Sequence, residues 1–335
     1  MLNLIKELTC LDGISGREEN VRDYILQKIE GKCTVNVDPL GNIICFKKGK
    51  NTPVKKIMLD AHMDEVGLII TAVGNDGFLR FATVGGIDVS VLLSRRVKIG
   101  DTLGVIGSKP VHLCSETDKN SLPKVEDLYI DIGATNKEQA LEHVQIGDTA
   151  AFENEFLDLG DNISAKALDD RIGCAILINL IENYDEYDFY AVFSVQEEVG
   201  LRGAKAATYT VNPDSAIVLE ATTAQDIKDV PETKQVCKLG NGTAVSFMDK
   251  STIYDREYYL AALNSGILSQ PKAAVSGGNN SGAVHLSRGG VRTIALSVPC
   301  RYIHSCSCVC NKNDIINTYN LAKCMLSGIA SGEIK

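Results

Sequence analysis

Four apolar runs in this chain each lead into an ionisable side chain that a hydrophobic core has no use for. Residues 55–61 lead to His62, 189–195 to Glu197 and Glu198, 215–219 to Glu220, and 293–298, through a short connection, to His304. Runs of this length and content read as buried strands. A further acid, Asp169, stands where the chain turns into an apolar helix carrying Ile172, Ala175, Ile176 and Leu180. Strands alternating with helices predict an α/β sheet, and open sheets of that kind place their sites beyond the strand ends.

The remaining elements fit that frame. Ser15-Gly16-Arg17-Glu18 has the S-x-x-E form of a capping box, with Val21, Tyr24, Ile25 and Ile29 following at helical spacing, so a helix is expected to about Lys28. Residues 33–37 and 43–46 flank a Pro-Leu-Gly-Asn turn and read as a hairpin. Helices are expected over 170–183, 203–207, 254–265 and 314–329, and a strand over 272–276. Between them, short β-like runs at 69–73, 78–83, 95–99, 103–106 and 129–132 are broken by glycines, the texture of a small barrel. The fold class expected is therefore α/β, a mixed-sheet domain over 1–67 and 161–335 interrupted by a β-rich insert over 68–160. A length of 335 residues agrees with two units at roughly 150 residues each.

Composition excludes several classes of protein. Hydrophobic residues at 44% and charged residues at 23% leave disorder without support. A net charge of -9 opposes binding to nucleic acid or to anionic lipid, and no apolar run approaches the roughly 20 residues that cross a bilayer. With a charged N-terminal helix in place of a signal peptide, a cytoplasmic location is expected, where the eleven cysteines stay reduced. Cys306, Cys308 and Cys310 alternate along a strand and read as small buried hydrophobes.

His62, Asp169, Glu198, Glu220 and His304 are candidate metal ligands. Each taken singly has an ordinary structural explanation, such as a helix cap for one of Asp169 and Asp170. Together, two imidazoles and three carboxylates, one of them bridging, satisfy two ions roughly 3.5–4 Å apart. Nitrogen and oxygen donors suit zinc, cobalt or manganese. Asp64, two residues beyond His62, is placed to orient that imidazole. Glu197 is free to take a proton from a metal-bound water and return it to a leaving amine. Glu197 and Asp64 are thus the candidate catalytic residues. The glycine-rich stretch 277–282 lacks the lysine and spacing of a phosphate loop and reads as a turn lining the substrate pocket. Lys250, Arg256 and Arg288 read as solvated surface charges.

Asp60-Ala61-His62-Met63-Asp64-Glu65-Val66-Gly67, Ala167-Leu168-Asp169-Asp170-Arg171, Gln196-Glu197-Glu198-Val199-Gly200-Leu201-Arg202-Gly203-Ala204 and Arg301-Tyr302-Ile303-His304-Ser305 together resemble the tetrahedral aminopeptidases. These are dinuclear metallopeptidases, often labelled glutamyl aminopeptidase or endoglucanase, and the likeness runs through most of the chain. It implies a zinc-exopeptidase type of fold whose insert carries oligomer contacts, with dimers assembled into a hollow dodecamer that admits peptides. It also implies His62, Asp169 and Glu220 on one divalent ion, Asp169, Glu198 and His304 on the other, and Glu197 as general base acting on a water that bridges them. Three positions depart from the common pattern of relatives: Glu220 for Asp, Asn279-Asn280 for Thr-Asp, and Cys306 for Pro.

The activity expected is removal of N-terminal residues from peptides. A deacylase or another exopeptidase built on the same two-metal core is the alternative. A glycosidase is disfavoured by the absence of tryptophan and by 6% aromatics, which leave few surfaces for sugar stacking. A shell protein without activity is disfavoured by the complete ligand set.

Overall fold

The apolar runs form the centre of one sheet. In the computed structural model, which describes residues 1–115 and 120–335, the strands Phe189–Ser194, Ile57–His62, Ser215–Thr223 and Arg292–Arg301 lie side by side and parallel. Nearly every residue in them is buried, which is why they read as continuous apolar runs and not as alternating ones. Antiparallel strands extend both sides. Ile43–Lys47 and Thr34–Val37 form the expected hairpin beside Phe189–Ser194. Cys308–Asn311, Asn162–Ala165 and Leu157–Leu159 continue from Arg292–Arg301. The result is an 11-stranded mixed sheet.

Register sets the site. Ser194 stands opposite His62, Val218 opposite Asp60, and Glu220 opposite Ser297, so the ends of the parallel strands are level. The helix Leu168–Asn183 is buried through most of its length and packs on Ile57–His62 and Ser215–Thr223, with its N-terminal turn carrying Asp169 and Asp170.

The insert is a closed antiparallel barrel of Gly67–Val73, Leu79–Val84, Tyr129–Asp131, Thr102–Gly107, Arg96–Ile99 and Thr149–Phe152. It has a hydrophobic core of its own, including Leu68, Leu79, Val97, Ile106 and Ile130. Cys306, from the hairpin that carries His304, packs into this second core and not into the core of the sheet. Cys308 and Cys310 share the buried face of their strand as the alternation predicts. All eleven cysteines are free thiols, and among the described residues no helix is long and apolar enough to cross a membrane.

Two local expectations are corrected. The helix after the S-x-x-E pattern is Glu19–Ile29, and the residue at its N-cap, Glu18, makes no side-chain capping bond. The expected strand 272–276 is displaced to Ser269–Pro271, which pairs with Thr243–Val245. The missing amide hydrogen of Pro271 suits the edge position of that strand.

A buried ionic clamp ties the N-terminus to the sheet. Arg171 is fully buried and donates to the carbonyls of Leu8, Met63 and Leu11 at 2.6, 2.8 and 3.1 Å. Glu65 accepts from Lys166 at 2.6 Å and from the Gly13 amide at 3.1 Å, with Arg171 Nη2 at 3.4 Å. Removing the guanidinium takes away the donor of the Met63 carbonyl, one donor each from the Leu8 and Leu11 carbonyls, and part of a buried carboxylate's compensation. Arg171→Ala is expected to lose about 3–5 kcal/mol of unfolding free energy, read from the denaturant midpoint. A loss under about 1 kcal/mol would show the clamp to be dispensable.

Candidate metal centre

His62 ends its strand and is buried. Its Nδ1 lies 3.0 Å from the Asp64 carbonyl oxygen and 3.4 Å from Asp64 Oδ1. Either acceptor claims the Nδ1 proton and leaves the Nε2 lone pair free. Nε2 faces Asp169 Oδ1 at 3.3 Å and Glu220 Oε2 at 3.7 Å. His304 repeats the device. Its Nδ1 is 2.9 Å from the Gly86 carbonyl, and its Nε2 is 3.5 Å from Asp169 Oδ2 and 3.4 Å from Glu198 Oε2. Asp169 therefore lies between the imidazoles with one oxygen turned to each.

The structure brings together all five residues read from the sequence as ligands. His62, Asp169 and Glu220 form one cluster and Asp169, Glu198 and His304 another, each with donor atoms within 4.8 Å of one another. Glu197 stands beside them, its carboxylate within the same distance of His62 and Glu198. Asp64 is fully buried behind the site, where Oδ1 and Oδ2 accept the amide hydrogens of Glu197 and Glu198 at 2.9 and 3.1 Å.

The spacings test whether the residues fit a metal. Two ligands about 2.0–2.2 Å from a tetrahedral ion stand roughly 3.3–3.6 Å apart. The four nitrogen to oxygen separations of 3.3, 3.7, 3.5 and 3.4 Å follow that spacing and exceed ordinary hydrogen bonds. Glu220 Oε1 is buried and has no hydrogen-bond partner among the described residues. Such an atom is costly unless a cation or donor meets it.

The electrostatics agree. Burial works against the His62 imidazolium, but Asp169, Asp64 and Glu220 outweigh it and hold the pKa well above the ordinary value. The same contest at His304 ends at about 10. Burial pushes Glu197 up to about 7, Glu198 to about 8 and Glu220 well above the usual range, against the opposing pull of the histidines. Asp169 moves the other way because the two imidazoles overcome its burial. Acids that keep protons beside imidazoles that keep theirs make a cluster short of positive charge, and divalent cations supply that charge while displacing the protons.

A cavity of about 1010 Å³ opens over both clusters. Ser276, Gly277, Gly278 and Asn279 line it, as the pocket-turn reading expects, whereas Asn280 is buried and donates to Asp60 Oδ2 at 2.7 Å and Ser194 Oγ at 2.9 Å. Arg256 and Arg288 are exposed, and Arg288 stacks on Tyr209. Lys250 is exposed yet lines the cavity. Three participants escaped the sequence reading. The Gly86 carbonyl comes from the barrel side. Gly85 beside it has φ +81°, and a Cβ there would sit 2.7 Å from Val66 and 3.2 Å from Glu198, so the close approach needs glycine. Lys272 lines the cavity and lay inside a stretch expected to be strand.

This is a hydrolytic site suited to divalent cations on an α/β sheet with a barrel insert. The sequence profile of the M42 glutamyl aminopeptidase family matches residues 41–321, and the chain belongs to that family of peptide hydrolases. A putative aminopeptidase of Acetivibrio thermocellus is 39% identical over 96% of this chain and 97% of its own length. The TET aminopeptidase of a marine sediment Thaumarchaeota archaeon superposes with a TM-score of 0.92 at 32% identity, over 97% of this chain and 95% of that one. The TET1 peptidase of Pyrococcus horikoshii, which can assemble into a tetrahedron or a large octahedral shell, gives 0.84 at 36% identity over 97% and 98%.

Zinc or cobalt added to chelator-stripped protein is expected to raise its melting temperature by several degrees, since ions that bind the folded chain stabilise it. Asp169→Ala should remove most of that gain because Asp169 serves both clusters. A melting temperature indifferent to divalent cations in the unmutated protein would refute the cation reading.

Proposed function

We propose that this chain is a two-metal aminopeptidase that removes N-terminal residues from peptides in the cytoplasm. In this reading residues 1–67 and 161–335 form the catalytic unit, and 68–160 the insert through which copies assemble. One observation carries it: Asp169 is shared between two histidine–carboxylate clusters beside Glu197, all opening on one cavity. Two divalent ions, zinc, cobalt or manganese, held by His62, Asp169 and Glu220 and by Asp169, Glu198 and His304, would supply Lewis-acid charge for a free amine and a scissile carbonyl.

The chain's own residues manage the protons. Glu197, beside both clusters, takes a proton from the attacking water and returns it to the leaving amine. Asp64 does not reach the cavity; it fixes the His62 tautomer and grips the amides of Glu197 and Glu198. The likeness to the TET1 peptidase, which can form a tetrahedron or a large octahedral shell, supports assembly of dimers into a tetrahedral dodecamer, which would confine the sites to peptides that can enter. Light scattering on the purified chain tests that assembly.

The decisive assay compares free aminoacyl-anilides with their N-acetylated forms on metal-stripped and metal-restored protein. Metal-restored cleavage of the free set is expected; cleavage of the blocked set would make the chain a deacylase. Glu197→Gln should keep its metal and lose about 10²–10⁴-fold in kcat.

Substrate preference has a physical handle in Lys272, which is 7% exposed and lines the cavity. Among the described residues its ammonium has no hydrogen bond or ion pair. Together with Lys250 it favours a substrate carboxylate. Lys272→Ala is expected to cut kcat/KM for glutamyl and aspartyl substrates by at least about tenfold and to leave leucyl substrates little changed. An equal loss on both would remove it from selectivity.

A further inference from the structure

Ser15 and Glu18 stand in a pattern whose usual work is local, yet neither caps the helix that follows. Ser15 Oγ instead donates to Asp64 Oδ2 at 2.6 Å, across 49 positions of sequence. Glu18, which is buried, accepts the Gln196 amide hydrogen at 3.1 Å through the same Oε1 that takes the Gly16 amide at 2.8 Å. Three successive amides, those of Gln196, Glu197 and Glu198, are therefore each claimed by a buried carboxylate: Glu18 for the first and Asp64 for the other two.

This elbow needs holding. Gln196 has φ +56°, a left-handed conformation that a non-glycine residue keeps only when its surroundings impose it. Both oxygens of Asp64 accept from the elbow, Oδ1 also approaches His62, and Ser15 is the donor that ties this carboxylate back to the N-terminal segment. That segment is itself fixed. Gly13 O accepts the Glu65 amide at 3.0 Å, and the Gly13 amide donates to Glu65 Oε1 at 3.1 Å. Without the Ser15 hydroxyl, Asp64 Oδ2 keeps the Glu198 amide but loses its tie to the N-terminal segment, and the carboxylate and the two amides that hang from it are held less firmly against that segment.

We propose that Ser15 and Glu18 are positioning residues of the reaction: they hold the elbow so that the Glu197 carboxylate and the Glu198 donor keep their places. Neither lines the cavity, so they act through Asp64 and the backbone and not on substrate. The effect on turnover rests on the aminopeptidase reading above; the effect on the elbow does not.

The test uses Ser15→Ala, Ser15→Thr and Glu18→Ala in the full chain, loaded with zinc. Steady-state kinetics on a free aminoacyl-anilide, melting temperature, and hydrogen exchange of the peptide spanning 194–200 are measured together. Ser15→Ala and Glu18→Ala are expected to lose at least about tenfold in kcat with KM within about twofold. Exchange in 194–200 should quicken, and Ser15→Thr, which restores the hydroxyl, should recover both. Unchanged kcat and unchanged exchange overturn the proposal. So does a kcat loss that only tracks the unfolded fraction, which would mark the pair as stabilising and nothing more. If the unmutated protein cleaves no anilide, the aminopeptidase reading falls, and the exchange comparison decides this proposal by itself.

Discussion

Negative charge crowded at one end of a parallel sheet is the constraint from which the rest of the molecule follows. Level strand ends put Asp60, Asp64, Glu198 and Glu220 near one another, and the helix Leu168–Asn183 brings Asp169 and Asp170 to the same place. Carboxylates at that depth need compensation or must hold protons. The fold supplies what it can. The helix N-terminus faces the cluster, as favours negative charge. Asp170 accepts the amides of Gly173 and His62, and Asp64 accepts those of the elbow. Glu65, next in the chain after Asp64, draws the buried Lys166 and Arg171 to itself. The two imidazoles and the carboxylates between them are left with a deficit that cations answer.

The candidate ligands were legible in the sequence because burial writes itself as composition. An apolar run that stops at an acid or a histidine marks both the strand and the place where it leaves the core; four of the five candidates follow that pattern, Asp169 stands at a helix start, and all five lie together. What was not legible is which group holds which. Ser15 to Asp64, Glu197 to Asp64 and Glu18 to Gln196 span 49, 133 and 178 positions. No spacing rule reaches that far. The S-x-x-E pattern failed for a related reason: a local rule credits Ser15 and Glu18 to the helix, while the deficit of donors and the strained elbow across the site outbid it. The misplaced strand near Lys272 is a smaller case. The backbone there still bonds outward, Lys272 to Val245 and Ala273 to Val236, but the ladder itself sits three residues earlier.

The barrel is more than an appendage. Gly86, just beyond its second strand, gives the carbonyl that fixes the His304 tautomer, and Cys306 anchors the His304 hairpin in the barrel's own core. A proline at 306 would fill part of that contact with a stiffer ring; the thiol fills it with a small, soft group. His304 is thus set from two directions, by the sheet through Arg292–Arg301 and by the barrel through Gly86 and Cys306.

That double attachment has a physical consequence for the site. His62 belongs wholly to the sheet, so its placing is as rigid as the central strands. His304 sits at φ +59° on a hairpin between two separate cores, with its side chain 36% exposed and lining the cavity. A displacement of barrel against sheet would act on His304 through Gly86 and Cys306, while His62 and Glu198 stay with the sheet and Asp169 with the helix. The cluster of His62, Asp169 and Glu220 is accordingly the fixed half of the centre. The cluster of Asp169, Glu198 and His304 is the half whose geometry depends on how barrel and sheet are held together, because His304 is tied to both.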